Sequence, residues 1–317
     1  MTAQDYIQSK LEELKKPVGL EGSDDSEEAI YRILLSKKFR KYSASEDLQE
    51  HIRNAIHINV EKGEPINITF VHGAYKLWRL EESPEADWAE LFSLMYYTNW
   101  VKGICEIYEP GVWFDFFVDD LIVPKLDNID ISEIEAYIES YQGLIDFVKP
   151  YQPDNLRMTI TTVGSRFESP EAFDESLERN TEKVKAQSGL PELDEAQRAM
   201  VELNVKTTPE QLQDPKWREK VFLIHAGYNI TKGEPGYHRR PDKIVAFTQP
   251  IPMAIAVGTT KDSIMKFWVG VGVLKPKEES YRQIILSSNQ LGSTNYRWEE
   301  VAVNGLNGKN FKKVRIT

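Results

Sequence analysis

The run from Glu64 to Val123 constrains the fold more than any other stretch. Pro65-Ile-Asn-Ile-Thr-Phe-Val71 reads as a strand, and His72-Gly-Ala-Tyr75-Lys76-Leu-Trp-Arg79 as a basic turn. Asp87-Trp-Ala-Glu90 then opens a long apolar helix. A Tyr108-Glu-Pro-Gly111 turn follows, and after it a second strand, Val112 to Val118. A helix between two such strands is the crossover unit of a parallel sheet. Open α/β sheets bind ligands at the carboxyl ends of their strands, so the site is expected where the basic turn leaves the first strand.

The flanks differ in character. Residues 4–61 carry helical apolar spacing, as at Leu11 and Leu14, and an acidic Ser23-to-Glu28 start precedes Ile30 and Leu34. Residues 168–216 are charged and helix-rich. The last third holds short β-branched or aromatic runs that read as strands: Val221–His225, Ile244–Phe247, Ala254–Val257, Phe267–Val273 and Gln283–Leu286. The expectation is an α/β fold with a mixed central sheet and a βαβ core unit, a helical N-terminal region and a β-rich C-terminal third. Its parts are a helical region (1–62), an α/β core bearing the basic strand-end turn (63–165), a charged helical insertion (166–218), and a β-rich part of the same domain (219–317).

Composition excludes several function classes. A net charge of −11 argues against a nucleic-acid or anionic-membrane surface. The one cysteine, Cys105, rules out an intrachain disulfide and reads as a small hydrophobe. The polar start Met1-Thr-Ala-Gln-Asp-Tyr6 lacks a charged-then-apolar signal, and no apolar run approaches the roughly 18 residues of a membrane span. A cytoplasmic protein is expected.

His72, Lys76 and Arg79 after a strand, beside Tyr75, make an anion site, with Arg as a planar fork and Lys as a compact charge. A solvated basic turn anchored by Trp78 is the plainer reading. Asp87 with Glu90 three residues later resembles a capping box, a role compatible with orienting the basic turn. Asp115, Asp119 and Asp120 in and after the second strand suggest carboxylate chemistry, but no recognised metal-ligand spacing accompanies them. His225 precedes Ala226-Gly227-Tyr228, and Tyr237-His-Arg239-Arg240 follows across a loop. This reads either as a second wall of the site or as core. There is no complete glycine-rich phosphate loop, no Gly-x-Ser-x-Gly elbow and no His-Glu-x-x-His helix.

In order and spacing, these residues resemble the isonitrile (isocyanide) synthases of the pyoverdine and dityrosine biosynthesis type. The resemblance rests on Phe70-Val-His-Gly-Ala-Tyr-Lys76, Pro84 to Ala89-Glu90, Ile104-Cys-Glu-Ile-Tyr108-Glu-Pro110-Gly111, Val118-Asp119-Asp120, and Asp130 to Ile134 and Tyr137. It covers residues 64–148 and, more briefly, 220–228, where Leu223-Ile-His225 resembles a Ser-Ile-His segment. The family's Lys-Ser-Pro-Asn turn is Lys76-Leu-Trp-Arg79 here, its Ser-Asp-Gly is Val118-Asp-Asp120, and a downstream Asp is Lys125. The resemblance implies an enzyme joining an amino-acid amine to the carbonyl of a pentulose phosphate such as ribulose 5-phosphate and fragmenting the adduct, with no metal or redox cofactor. Its implied catalytic residues are Lys76, His225 and Asp119. His72, Tyr75, Arg79, Asp87, Glu90 and Arg239 would bind substrate, and Asp119 or Glu90 would take the ammonium. Two alternatives stand beside it: an α/β enzyme redeployed on another amine or nucleotide-like anion, and a non-catalytic binding or accessory protein. Oligomeric state is not legible.

Overall fold

The computed structural model describes residues 1–20, 26–36, 46–72, 85–127, 129–187, 205–234, 237–239, 245–247, 255–257, 270–286 and 288–317. Three helices come first. Helix α1 (Ala3–Leu14) starts on a Thr2–Asp5 capping box and buries Ala3, Ile7, Leu11 and Leu14, a stripe at helical spacing. Helices α2 (Ser26–Leu34) and α3 (Glu46–Lys62) follow. Gly63, at φ +64, ends α3 in the left-handed conformation that favours glycine.

Strand β1 (Ile66–His72) then leads to α4 (Trp88–Ile107), whose Asp87–Glu90 capping box forms as read from the sequence. Helix α4 is buried on nearly every side, which marks it as the central helix. The Tyr108–Gly111 turn returns the chain to β2 (Val112–Val118). Gly111 sits at φ +72, and a Cβ there would lie 2.0 Å from the Asn155 carbonyl oxygen, so both conformation and space require glycine. Short α5 (Val123–Asp127) and α6 (Ile131–Val148) then lead to β3 (Leu156–Thr162).

Tyr97 of α4 stacks on Phe114, Trp100 of α4 meets Phe114 edge-on, and Tyr141 of α6 meets Phe116 edge-on at 5.2 Å. One face of the sheet is therefore an aromatic core. On the other face Phe117 joins a second cluster with Phe173 and Leu177 of α7 (Pro170–Gln187) and Tyr228 of α9 (Pro215–Thr231). The five-residue α8 (Pro209–Gln213) precedes α9. Helices α7 and α9 touch closely at Gly227, where a Cβ would lie 2.5 Å from Thr181 Oγ1.

The last part contains β4 (Tyr237–Arg239), β5 (Val245–Phe247), β6 (Ile255–Val257), β7 (Val271–Lys277), β8 (Ser280–Leu286), α10 (Ser288–Gly292), β9 (Arg297–Glu300) and β10 (Lys313–Ile316). Strand β6 joins the first sheet, giving the order β3-β2-β1-β6. A second sheet runs β8-β7-β10-β9, and β4 pairs antiparallel with β5.

The expected α/β fold is present, with a helical N-terminal region and a strand-rich C-terminal part: the sheet holding the βαβ unit is parallel throughout its described pairs, and the second sheet is mixed, with β7 and β10 parallel and its other pairs antiparallel. One expectation needs correction. Val221–His225 is not a strand but the middle of α9. Asp214 caps that helix, accepting from Lys216 N, and Pro215 occupies its first turn. A short apolar run has no period of its own, and its packing against α7 decides the outcome. The expected loop at Thr259–Asp262 and the residues Phe267–Val269 lie outside the described residues. No described helix is long and apolar enough to cross a membrane.

Candidate active site

Strand β2 ends at Val118, and the two carboxylates after it part company. Asp120 turns back to accept the Gly164 N–H at 2.9 Å, joining the ends of β2 and β3. A Cβ on Gly164 would lie 2.6 Å from Asp120 Oδ2, so the latch needs glycine there. Burial raises the Asp120 carboxyl above its ordinary value, against the opposing pull of the Gly164 N–H. Asp119 instead accepts a hydrogen bond from the Tyr228 hydroxyl, 109 residues along the chain.

Tyr228 is held from behind by Phe173, and His225 lies one helical turn earlier on α9. Burial lowers the His225 pKa most, Lys232 lowers it further, and the nearby Asp119 charge pulls it back up. The ring is therefore neutral near pH 7. Asn229 Nδ2 lies 3.3 Å from His225 Nδ1.

His72, the last residue of β1, pairs in register with Val118. Strand β1 thus delivers the chain to the same edge of the sheet, beside Asp119. Tyr75, Lys76 and Arg79 lie outside the described residues. Arg239 is on β4, with its backbone paired to Val245. Asp87 accepts from Ala89 N at 2.6 Å. Glu90 accepts from Asp87 N at 2.7 Å and from the Tyr137 hydroxyl at 3.4 Å. Both carboxylates thus serve the start of α4. Asp115, Asp119 and Asp120 each have separate partners, and among the described residues no three His, Cys, Asp or Glu side chains gather as a metal site. Tyr228, Asn229 and Lys232 were not singled out from the sequence as site residues. Their signal is the spacing of three, four and seven from His225, which has meaning only once this segment is a helix. Cys105 is no nucleophile near neutral pH, because burial pushes its thiol up to about 12.

A small cavity between α6 and the 305–311 segment is lined by Ser140, Gly143, Phe147, Gly305 and Phe311 among others, and by none of the expected site residues. The strand-end cluster, with its converging titratable groups, is the stronger candidate.

No protein-family model matches this chain, and no curated protein matches it either. Its fold does match solved structures. The crystal structure of the PvcA protein from Pseudomonas aeruginosa aligns with a TM-score of 0.59 at 16% identity, over 92% of this chain and 99% of that one. At that identity the likeness establishes a shared fold, and it extends along nearly the whole of both chains.

Proposed function

We propose that this chain is a biosynthetic enzyme of the isonitrile synthase type, condensing an amino-acid amine, of tyrosine or tryptophan kind, with a pentulose phosphate such as ribulose 5-phosphate. One observation carries the reading. Two segments that resemble that family, Val118-Asp119-Asp120 and Leu223-Ile-His225, are far apart in sequence yet meet at the carboxyl edge of the parallel sheet, through Tyr228. The shared fold with PvcA supports it.

Condensation needs a base to free the amine, an acid at the carbonyl oxygen as the C–N bond forms, and a hold on the phosphate. The neutral His225 imidazole, with Asp119 near it, suits proton transfer at the sugar's carbonyl and hydroxyls. Lys76 and Arg79, which follow His72 in the sequence, suit the phosphate or, for Lys76, acid–base work. Asp87 and Glu90 cap the start of α4, and Asp119 or Glu90 suits the ammonium.

The test is mass spectrometry of purified protein incubated with tyrosine or tryptophan and ribulose 5-phosphate. An isonitrile product is expected, with turnover lower by about 10²–10⁴-fold in His225→Ala and lost in Lys76→Ala. A folded sample that makes no isonitrile refutes the reaction.

A further inference from the structure

The face of the parallel sheet turned toward α7 and α9 carries buried polar side chains where a hydrophobic layer is normal. Register puts Asn67 and Thr69 of β1, Asp115 of β2, and Thr159 and Thr161 of β3 on that one face. Asp115 is 0% exposed and Asn67 2%. Asp115 Oδ1 accepts from Thr159 Oγ1 at 3.0 Å and from Thr161 Oγ1 at 2.7 Å, while Oδ2 has no partner. Asn67 Oδ1 accepts from Thr69 at 3.3 Å, while its Nδ2 has none. Arg166 and Arg157 both favour the Asp115 charge against its burial, and Arg157 also lies over the Trp113 ring at 4.3 Å. A buried carboxylate oxygen and a buried amide donor left open on neighbouring strands are costly for a chain that gains nothing from them. The deficit is specific: one carboxyl oxygen and one amide donor.

We infer that Asp115 and Asn67 bind the head group of an α-amino acid, its ammonium donating to Asp115 Oδ2 and its carboxylate accepting from Asn67 Nδ2. This inference rests on the proposed function, and it places the amine that function requires. Asp115 lies three residues in from Val118, about 10 Å at strand rise. That is the reach of an extended five-carbon sugar phosphate whose phosphate sits at the strand edge and whose carbonyl meets the amine. Asp115 is 0% exposed, so amino-acid binding requires the side chains that cover it to part.

Calorimetric titration of the full chain with each proteinogenic L-amino acid tests it. The tightest binder is then compared with its decarboxylated amine and its deaminated acid. The wild type should prefer the intact amino acid to both. Asp115→Asn, nearly isosteric, should weaken the amino acid about tenfold to a hundredfold and leave the deaminated acid unaffected. Asn67→Ala should instead erase the preference for the amino acid over the amine, a readout that survives if Asp115→Asn does not fold. Wild-type affinity in both variants, or a wild type that binds no amino acid, overturns the inference. The two readings fail separately. Amino-acid binding that depends on Asp115 without isonitrile formation keeps this site and refutes the reaction, whereas turnover indifferent to Asp115→Asn does the reverse.

Discussion

Asp127, at the end of α5, shows how far one side chain's surroundings shift its chemistry. It is 6% exposed and accepts the Lys206 N–H at 2.6 Å. Burial pushes its carboxyl from 3.8 up to about 6, with that N–H and the Lys206 charge opposing. Between those values the folded chain keeps a proton that the unfolded chain has released. Stability is therefore full below 3.8 and falls as pH rises through about 6, by up to about 3 kcal/mol. Asp127→Asn keeps the acceptor and removes the charge. Its thermal midpoint should exceed wild type near neutral pH, with the gap closing below about pH 4, and two parallel pH curves would refute this. The same scale shows why the candidate site was only half legible. His225 and Asp119 are conspicuous as residue types beside turns. The Tyr228 hydroxyl that meets Asp119, and the Gly164 N–H that meets Asp120, come from elements brought together only by folding.

At the scale of elements, close approach of backbones decides more than propensity. Gly272 of β7 lies under the first turn of α4, where a Cβ would fall 2.4 Å from the Trp88 carbonyl carbon and 2.5 Å from Ala89 N. Trp88 Nε1 also donates to the Lys313 carbonyl of β10 at 2.8 Å, so α4 is fixed on the second sheet at its start. Gly272→Ala must push these backbones apart and should cost about 1–3 kcal/mol. Gly143→Ala in α6 meets nothing within 4 Å and should instead stabilise by about 0.5–1 kcal/mol. Urea unfolding of the pair reads the contrast, and shifts of the same sign would contradict it. The elements read well from sequence wherever caps and period agreed, as at Asp87–Glu90 and the β1-α4-β2 unit. They misread at Val221–His225, where a short apolar run lacks period and the Asp214-Pro215 start signal lies several residues upstream.

At the scale of the whole molecule, the two ends of the chain share one core. The largest apolar cluster runs from Ala3 to Ile316 and takes in α1, α4, the aromatic face of the parallel sheet and the second sheet. Polar bonds repeat the tie, with Ala3 N donating to Glu299 Oε1 at 3.0 Å and Ala302 N to Gln4 Oε1 at 3.2 Å. The sequence showed the helical N-terminal region and the strand-rich C-terminal third, but no local pattern says that one packs on the other. A shared core predicts shared unfolding. Leu11 of α1 is 0% exposed, so Leu11→Ala should cost about 2–5 kcal/mol through lost burial and the cavity left behind. If the first helix belongs to the common core, that loss appears as a lower urea midpoint for the entire chain, with tryptophan fluorescence and far-ultraviolet dichroism moving together and the slope unchanged. A variant in which a small early transition separates from an unshifted main one would instead make α1 an appendage on a core that stands without it.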